Sequence, residues 1–311
     1  MELNYTGASN LARVLREGHF AVAVEVSPPI GPNPAALQRQ IAELRGYADV
    51  YNTTDNQSAR VHMGSLPASI MLKQAGLEPV AQFTCRDRNR LALQSDLLGA
   101  AAFGINTVLA ISGDHVAMGD HPHAKPVYDV DSLNLVRMIR MMRDGPVFEN
   151  GEPIPKTAPD FFIGAVENPF APPHEFRPVR VAKKVAAGAQ FIQTQLIYNV
   201  PRFREFMARI VDLGLHEKVA ILAGVGPLRS PKAIAYMRAE VAGMDIPEWI
   251  DARFAKATTK EEREKVGLDL CCEIAAQIRE IEGVRGLHIM TVNWSAAIPQ
   301  VVTALGLYPR P

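Results

Sequence analysis

Eight apolar, strand-like runs recur along the chain with helical segments between them: 20–26 (FAVAVEV), 48–53 (ADVYNT), 79–84 (PVAQFT), 105–111 (INTVLAI), 161–166 (FFIGAV), 190–197 (QFIQTQLI), 219–224 (VAILAG) and 286–292 (GLHIMTV). Most are continuous rather than alternating, the pattern of parallel strands covered on both faces. Strand–helix alternation repeated eight times predicts one α/β domain over 1–311, a closed (β/α)8 TIM barrel; a doubly wound open sheet is the alternative. The 311 residues suit a barrel, which uses about 250 residues or more as one unit. A Pro- and Gly-punctuated stretch at 144–160 is expected to be an inserted surface loop.

Helix ends are legible between the runs. Segments Ala35–Arg45, Leu91–Ala102 and Val179–Ala187 follow or precede turn formers, the last stopping at Gly188. Thr259 and Glu262 have the spacing of a capping box ahead of an apolar face at Val266, Leu270, Ile274, Ile278 and Ile281. Lys plus Arg and Asp plus Glu are both 33, so net charge points to neither nucleic acid nor an acidic membrane surface. The first residues lack the apolar core of a signal peptide, and no run approaches a membrane span of roughly 18 apolar residues. Cys85, Cys271 and Cys272 form no C-x-x-C pair. A cytoplasmic protein is the expectation.

In a barrel, chemistry sits at the carboxyl ends of the strands. Polar residues gather at those ends here: Glu25 and Ser27, Thr53 to Gln57, Gln82 and Thr84, Ser112-Gly113-Asp114, Glu167 and Asn168, Gln193 and Gln195, Thr291 and Asn293. Glu25 is the odd one, a carboxylate inside "AVAVEVSPP"; an edge strand with Glu25 in water would explain it without function. No G-x-x-x-x-G-K-[ST], H-E-x-x-H or strand-linked G-x-G-x-x-G is present. His115, His121 and His123 share one loop with Asp114 and Asp120, and a solvated loop is expected there rather than a metal site. Neutral polar groups with one or two carboxylates suit a flat heteroaromatic ligand, such as a flavin or a pterin.

Taken together, "VEVSPP", "VYNTTDN", "AQFTCRDRNR", "VLAISGD", "AAGAQFIQTQLIYN" and "IMTVNW" resemble, in order and over nearly the whole chain, the catalytic barrel of the methylenetetrahydrofolate reductase family, in its short bacterial form. That resemblance implies a TIM barrel that uses FAD, with FMN as the alternative, to reduce 5,10-methylenetetrahydrofolate in one-carbon metabolism. It implies Glu25 as the general acid and Asp114 as the carboxylate beside flavin and pterin. Gln195, Asp114 and Asn293 would meet the folate. Thr54, Gln82, Ser112, Gly113, Asp114, Tyr128, Lys183 and Lys184 would meet the flavin.

Gln82, Ser112, Val166 and Trp294 replace a histidine, an arginine, a tyrosine and an arginine of the family pattern. These departures bear on the choice of flavin and on NAD(P)H as direct donor, and an electron-donating partner subunit is the alternative. An oligomer is expected. Two other function classes share these features: a flavin-free pterin-binding methyltransferase barrel and an accessory subunit of a reductase complex. Bound flavin would separate the first, and retention of Glu25, Asp114 and Gln195 argues against the second.

Overall fold

The computed structural model describes residues 8–292 and 294–311. Eight parallel strands close in sequence order into a barrel: β1 (Ala21–Val26), β2 (Val50–Thr53), β3 (Pro79–Thr84), β4 (Thr107–Ile111), β5 (Phe162–Glu167), β6 (Phe191–Leu196), β7 (Ala220–Val225) and β8 (Val284–Ile289), with β8 pairing back to β1. The open-sheet alternative is excluded by that last pairing. Around the strands lie α1 (Asn10–Arg16), α2 (Ala35–Leu44), α3 (Ser65–Gln74), α4 (Arg90–Ala102), α5 (Ser132–Asp144), α6 (Arg177–Ala187), α7 (Val200–Asp212), α8 (Pro231–Glu240), α9 (Trp249–Phe254), α10 (Lys260–Arg279) and α11 (Ala297–Ala304).

Two apolar layers hold the fold. Outward strand residues such as Val22, Val24, Phe83 and Ile192 pack against the helices, giving the larger core. Inward residues Ala21, Ala23, Val50, Val80, Leu109, Phe162, Phe191, Ala220 and Leu222 form a separate inner core, closed below by Leu11, Ala12, Val14 and Leu15 of α1. α1 is thus a plug at the amino end of the barrel. Its start is fixed by Ser9, whose hydroxyl accepts a hydrogen bond from the Ala12 amide.

Strand ends differ from expectation where apolar character outlasts pairing. β8 begins two residues early, because Val284 pairs with Ile221, and ends at Ile289. Met290 instead faces the cleft and Val292 is exposed. The capping box of α10 forms in full, Thr259 accepting from the Glu262 amide while Glu262 accepts from the Thr259 amide. Leu270, Ile274 and Ile278 are buried as their spacing requires, whereas Ile281 lies just beyond the helix end. The loop between α5 and β5 carries a small antiparallel bridge between Val147 and Pro153.

Gly164 of β5 is needed for close approach: a Cβ there would meet the Phe191 ring at 2.1 Å, and that ring stacks on Phe162 with centroids 5.3 Å apart. Gly164→Ala therefore overpacks the inner core and is expected to cost about 1–3 kcal/mol. Chemical denaturation checks this, and adding Phe191→Leu should recover part of the loss.

Candidate active site

Side chains alternate in direction along a strand, so the residue two beyond each inner-core position also points inward, one layer nearer the carboxyl end. Two beyond Ala23, Val50, Val80, Phe191 and Gly286 stand Glu25, Asn52, Gln82, Gln193 and His288. The inner wall thus turns from apolar to polar within one layer. Above it opens a cleft of about 430 Å³ lined by residues from seven strand ends, among them Glu25, Thr54, Gln82, Asp114, Glu167, Gln195 and Met290.

The lower wall is a neutral hydrogen-bonded set. Asn52 Nδ2 donates to Gln193 Oε1 at 2.9 Å and is hydrogen-bonded to His288 Nε2 at 2.6 Å. Burial holds His288 down at about 3, so it is uncharged at neutral pH. Ala23, the β1 register partner of His288, leaves room for this bond, and Asn52 is the register partner of Glu25.

Glu25 is half-buried, faces the cleft and has no hydrogen bond or ion pair among the described residues. Desolvation alone pushes its carboxyl up from 4.5 to about 7. An acid of this kind is protonated for a useful fraction of the time at neutral pH. The geometry disposes of the edge-strand explanation, since β1 is hydrogen-bonded on both sides.

At the mouth, the loops after β2 and β4 are clamped together. The β2 loop holds Asn56, Ser58 and Ala59 at φ of 48°, 55° and 55°, a left-handed conformation costing about 1 kcal/mol or more per non-glycine residue. Asp114 Oδ2 accepts from the Ser58 amide at 3.0 Å and Asp120 Oδ2 from the Val61 amide at 3.1 Å. Buried Arg86 donates to the carbonyls of Asp114 and Asn56 at 3.0 and 3.1 Å. Thr54 and Gln57, bonded to each other at 2.7 Å, are presented to the cleft by this loop. Gly113, at φ +84°, meets the same assembly: a Cβ would lie 3.0 Å from the Thr84 side chain.

The residues singled out in the sequence fall into three groups. Glu25, Thr54, Gln82, Ser112, Gly113, Asp114, Lys184 and Gln195 all line the cleft. Ser112 Oγ donates to Ser132 Oγ at 3.2 Å, and Gln195 Oε1 accepts from the Leu196 amide. Tyr128 lies outside the lining, beside Arg86 and Asp114. Lys183 also lies outside it, its ammonium 5.1 Å from the centre of the Phe176 ring. Lys184 donates to Val166 O and, at 2.6 Å, to Glu167. Asn293 lies outside the described residues. His115 and His121 bond within their own loop, to the Ala117 amide and to Asp120, and no metal-binding cluster of three or more His, Cys, Asp or Glu occurs among the described residues.

Arg86, Asn52, Arg177 and Arg180 were not singled out. Arg86 stood in the quoted "AQFTCRDRNR", where its burial at 2% had no sequence signal. Unpartnered side-chain groups around the cleft, the Gln82 amide, Gln195 Nε2, Gln193 Nε2 and His288 Nδ1, fit a flat ligand edged with donors and acceptors, as a flavin or pterin is.

Fold and cleft define a closed (β/α)8 barrel whose mouth holds one desolvated carboxyl among neutral hydrogen-bonding groups. Comparison with known proteins sharpens this. The family model for methylenetetrahydrofolate reductase matches residues 10–306, and the chain belongs to that family of oxidoreductases. It is 24% identical over 260 residues to a probable methylenetetrahydrofolate reductase (NADPH) of Caenorhabditis elegans, covering 79% of this chain but only 37% of the worm protein. The 5,10-methylenetetrahydrofolate reductase of Salmonella typhimurium is 25% identical over 242 residues, 76% of this chain and 73% of that protein. Among solved structures, a Clostridium thermocellum protein described as binding two copies of 5-methyl-5,6,7,8-tetrahydrofolic acid shares the fold with TM-score 0.65 at 15% identity, over 94% of this chain and 95% of that one.

The Glu25 environment has a thermodynamic signature. Its folded value lies above the unfolded 4.5, so its contribution is fully present below pH 4.5 and is lost as pH rises through about 7. Glu25→Gln removes that loss. The variant is expected to exceed the wild type in stability at pH 8 by on the order of 1–2 kcal/mol and to differ less at pH 5, as denaturant titrations at both pH values will show.

Proposed function

We propose that this chain reduces 5,10-methylenetetrahydrofolate to 5-methyltetrahydrofolate with a flavin bound in the cleft, FAD or FMN, and with Glu25 as general acid. The observation that carries the reading is an unpaired carboxyl raised to about 7 in the cleft of a chain of this family. A flavin, when bound, supplies the hydride.

The protein's own part is to open the substrate ring. Proton transfer from Glu25 to N10 breaks the bond between N10 and the bridging carbon, leaving a cationic N5 iminium that can accept hydride at that carbon. Positioned acids of this type contribute about 10²–10⁴-fold. Asp114 lies across the cleft as a carboxylate that attracts the cation. Gln195 retains a free amide NH₂ for the pterin edge, its oxygen being held by the Leu196 amide. Thr54, Gln82, Ser112 and Gly113 shape the flavin side of the cleft. No helix among the described residues is long and apolar enough to cross a membrane, and we place the reaction in the cytoplasm.

Purified protein, or protein incubated with FAD or FMN, should show the visible absorbance of oxidised flavin; failure of both flavins to bind would overturn the reading. Glu25→Gln should leave flavin reduction by the donor near normal and slow the folate half-reaction by about 10²-fold or more. Equal slowing of both half-reactions would make Glu25 structural.

The electron donor is a separate question. Gln82, Ser112 and Val166, three of the four family departures, line the cleft, whereas Trp294 lies beneath the Arg229 guanidinium at 5.0 Å. We propose that NADH and NADPH reduce the flavin poorly and that a partner subunit supplies the electrons. Stopped-flow mixing with each nucleotide tests this, and bleaching at the rate of turnover by either one would reject it.

A further inference from the structure

Asn52 Oδ1 is an amide oxygen buried without a partner. The residue is fully buried and is not part of the cleft lining, so a ligand in the cleft does not reach it. Leaving such an oxygen unpaired away from water is costly, and native structures rarely do so. Its direction is fixed from the other end of the amide, because Nδ2 is bonded to Gln193 Oε1 and to His288 Nε2. Turning the amide over would set Oδ1 against the Gln193 oxygen. Gln193 Nε2 and His288 Nδ1 also lack partners, but both residues line the cleft and are open to what binds there.

The neighbouring strands decide what reaches Oδ1. In register with Asn52 stand Val80 on β3 and Glu25 on β1. Such residues lie about 4.8 Å apart across the sheet and point to the same face. Of the two, Glu25 alone is polar. As a carboxylate it would be a second acceptor set beside the first, and no side chain or amide among the described residues donates to it. As an acid it has one O–H, which is what Oδ1 lacks. No charge competes for this place: His288 on β8 is neutral, and Asp55, just beyond β2, is spent on Arg88 and on the Thr84 amide.

We propose that Asn52 is a positioning residue for Glu25: its Oδ1 accepts the hydrogen bond of the protonated carboxyl, while Gln193 and His288 hold the amide in that orientation. Its role in turnover rests on the reading of Glu25 as general acid. A hydrogen bond to the neutral form favours that form, in the same direction as desolvation. When the proton passes to N10, the O–H bond breaks, the N–H bond forms, and the carboxylate left behind faces Oδ1. That contact favours recovery of a proton from solvent at the mouth once the product has left.

The test is infrared spectroscopy of the full chain without flavin or folate, with the Glu25 carboxyl band assigned by its loss in Glu25→Gln. Asn52→Val and Asn52→Thr form a pair of similar shape, both suited to a strand and differing by one hydroxyl. Wild type should show the C=O band of a hydrogen-bonded acid and titrate near neutral pH. Asn52→Val should move the band to higher frequency, where an unbonded carboxyl absorbs. Asn52→Thr should keep it in the bonded range. Because its hydroxyl also donates to the carboxylate, Asn52→Thr should titrate about one pH unit lower than Asn52→Val, and the alkaline limb of the folate half-reaction should move with it.

A wild-type band at the unbonded frequency, a wild-type midpoint in the ordinary carboxylate range, or Val and Thr variants with the wild-type band and midpoint would overturn the proposal. The wild-type band decides even should neither variant fold. These readouts need no flavin, so failure of FAD and FMN to bind would remove the hydride reading and leave the hydrogen bond to stand on its own spectrum. A Glu25→Gln protein with an unchanged folate half-reaction would overturn the general-acid reading, and the role of Asn52 in turnover with it.

Discussion

The desolvation of Glu25 is the constraint on which the rest of the site turns. A carboxyl in this position keeps its proton to about pH 7 because nothing around it stabilises the charge: the inner core lies below, and the polar wall of Asn52, Gln193 and His288 is neutral and donates no hydrogen bond to it. A protonated histidine under the acid would favour the carboxylate and lower its value. His288 stays neutral because it is buried, and its Nε2 is occupied by Asn52. The α1 plug belongs to the same argument, since it seals the amino end of the barrel and keeps the floor apolar.

A second device works by strain. Asn56, Ser58 and Ala59 sit in left-handed backbone, which Asn tolerates but Ser and Ala do not favour, and the two β4-loop carboxylates, Asp114 and Asp120, hold the loop there through its amides. Gly119 makes the contact close, for a Cβ on it would lie 1.8 Å from the Ala59 carbonyl oxygen. Asp114 therefore has two attachments: one oxygen fixes the loop that carries Thr54 and Gln57, while the residue itself lines the cleft. Changing it alters the shape of the cleft beside β2 and β4 as well as its charge.

The barrel was legible because parallel strands covered on both faces must be continuously apolar, and the eight runs of the sequence all fall on strands. Boundaries failed where apolar residues serve something else. Met290 belongs to the cleft and Val292 to the exposed surface, so the eighth run outlasts its strand. α1 was not read because a short amphipathic segment looks the same on a surface as in a barrel end. Within the site, Glu25 and Gln193 stand out in the sequence as polar residues of apolar strands, but period-two alternation is needed to add Asn52 and His288 to the same wall. Partnerships were out of reach: that Lys184 would be paired with Glu167, 17 residues away in sequence, and Lys183 turned to Phe176 depends on helix rotation and on tertiary packing.

Charge is distributed across the mouth in a way that suits two ligands meeting in one cleft. The β1 side carries an acid that is neutral when protonated, the floor carries only neutral donors and acceptors, and the β5–α6 side carries the cations Arg177, Arg180 and Lys184 around Glu167. With the cations on the strand opposite Glu25, their charge does little to favour its carboxylate, and desolvation sets its value near neutral pH.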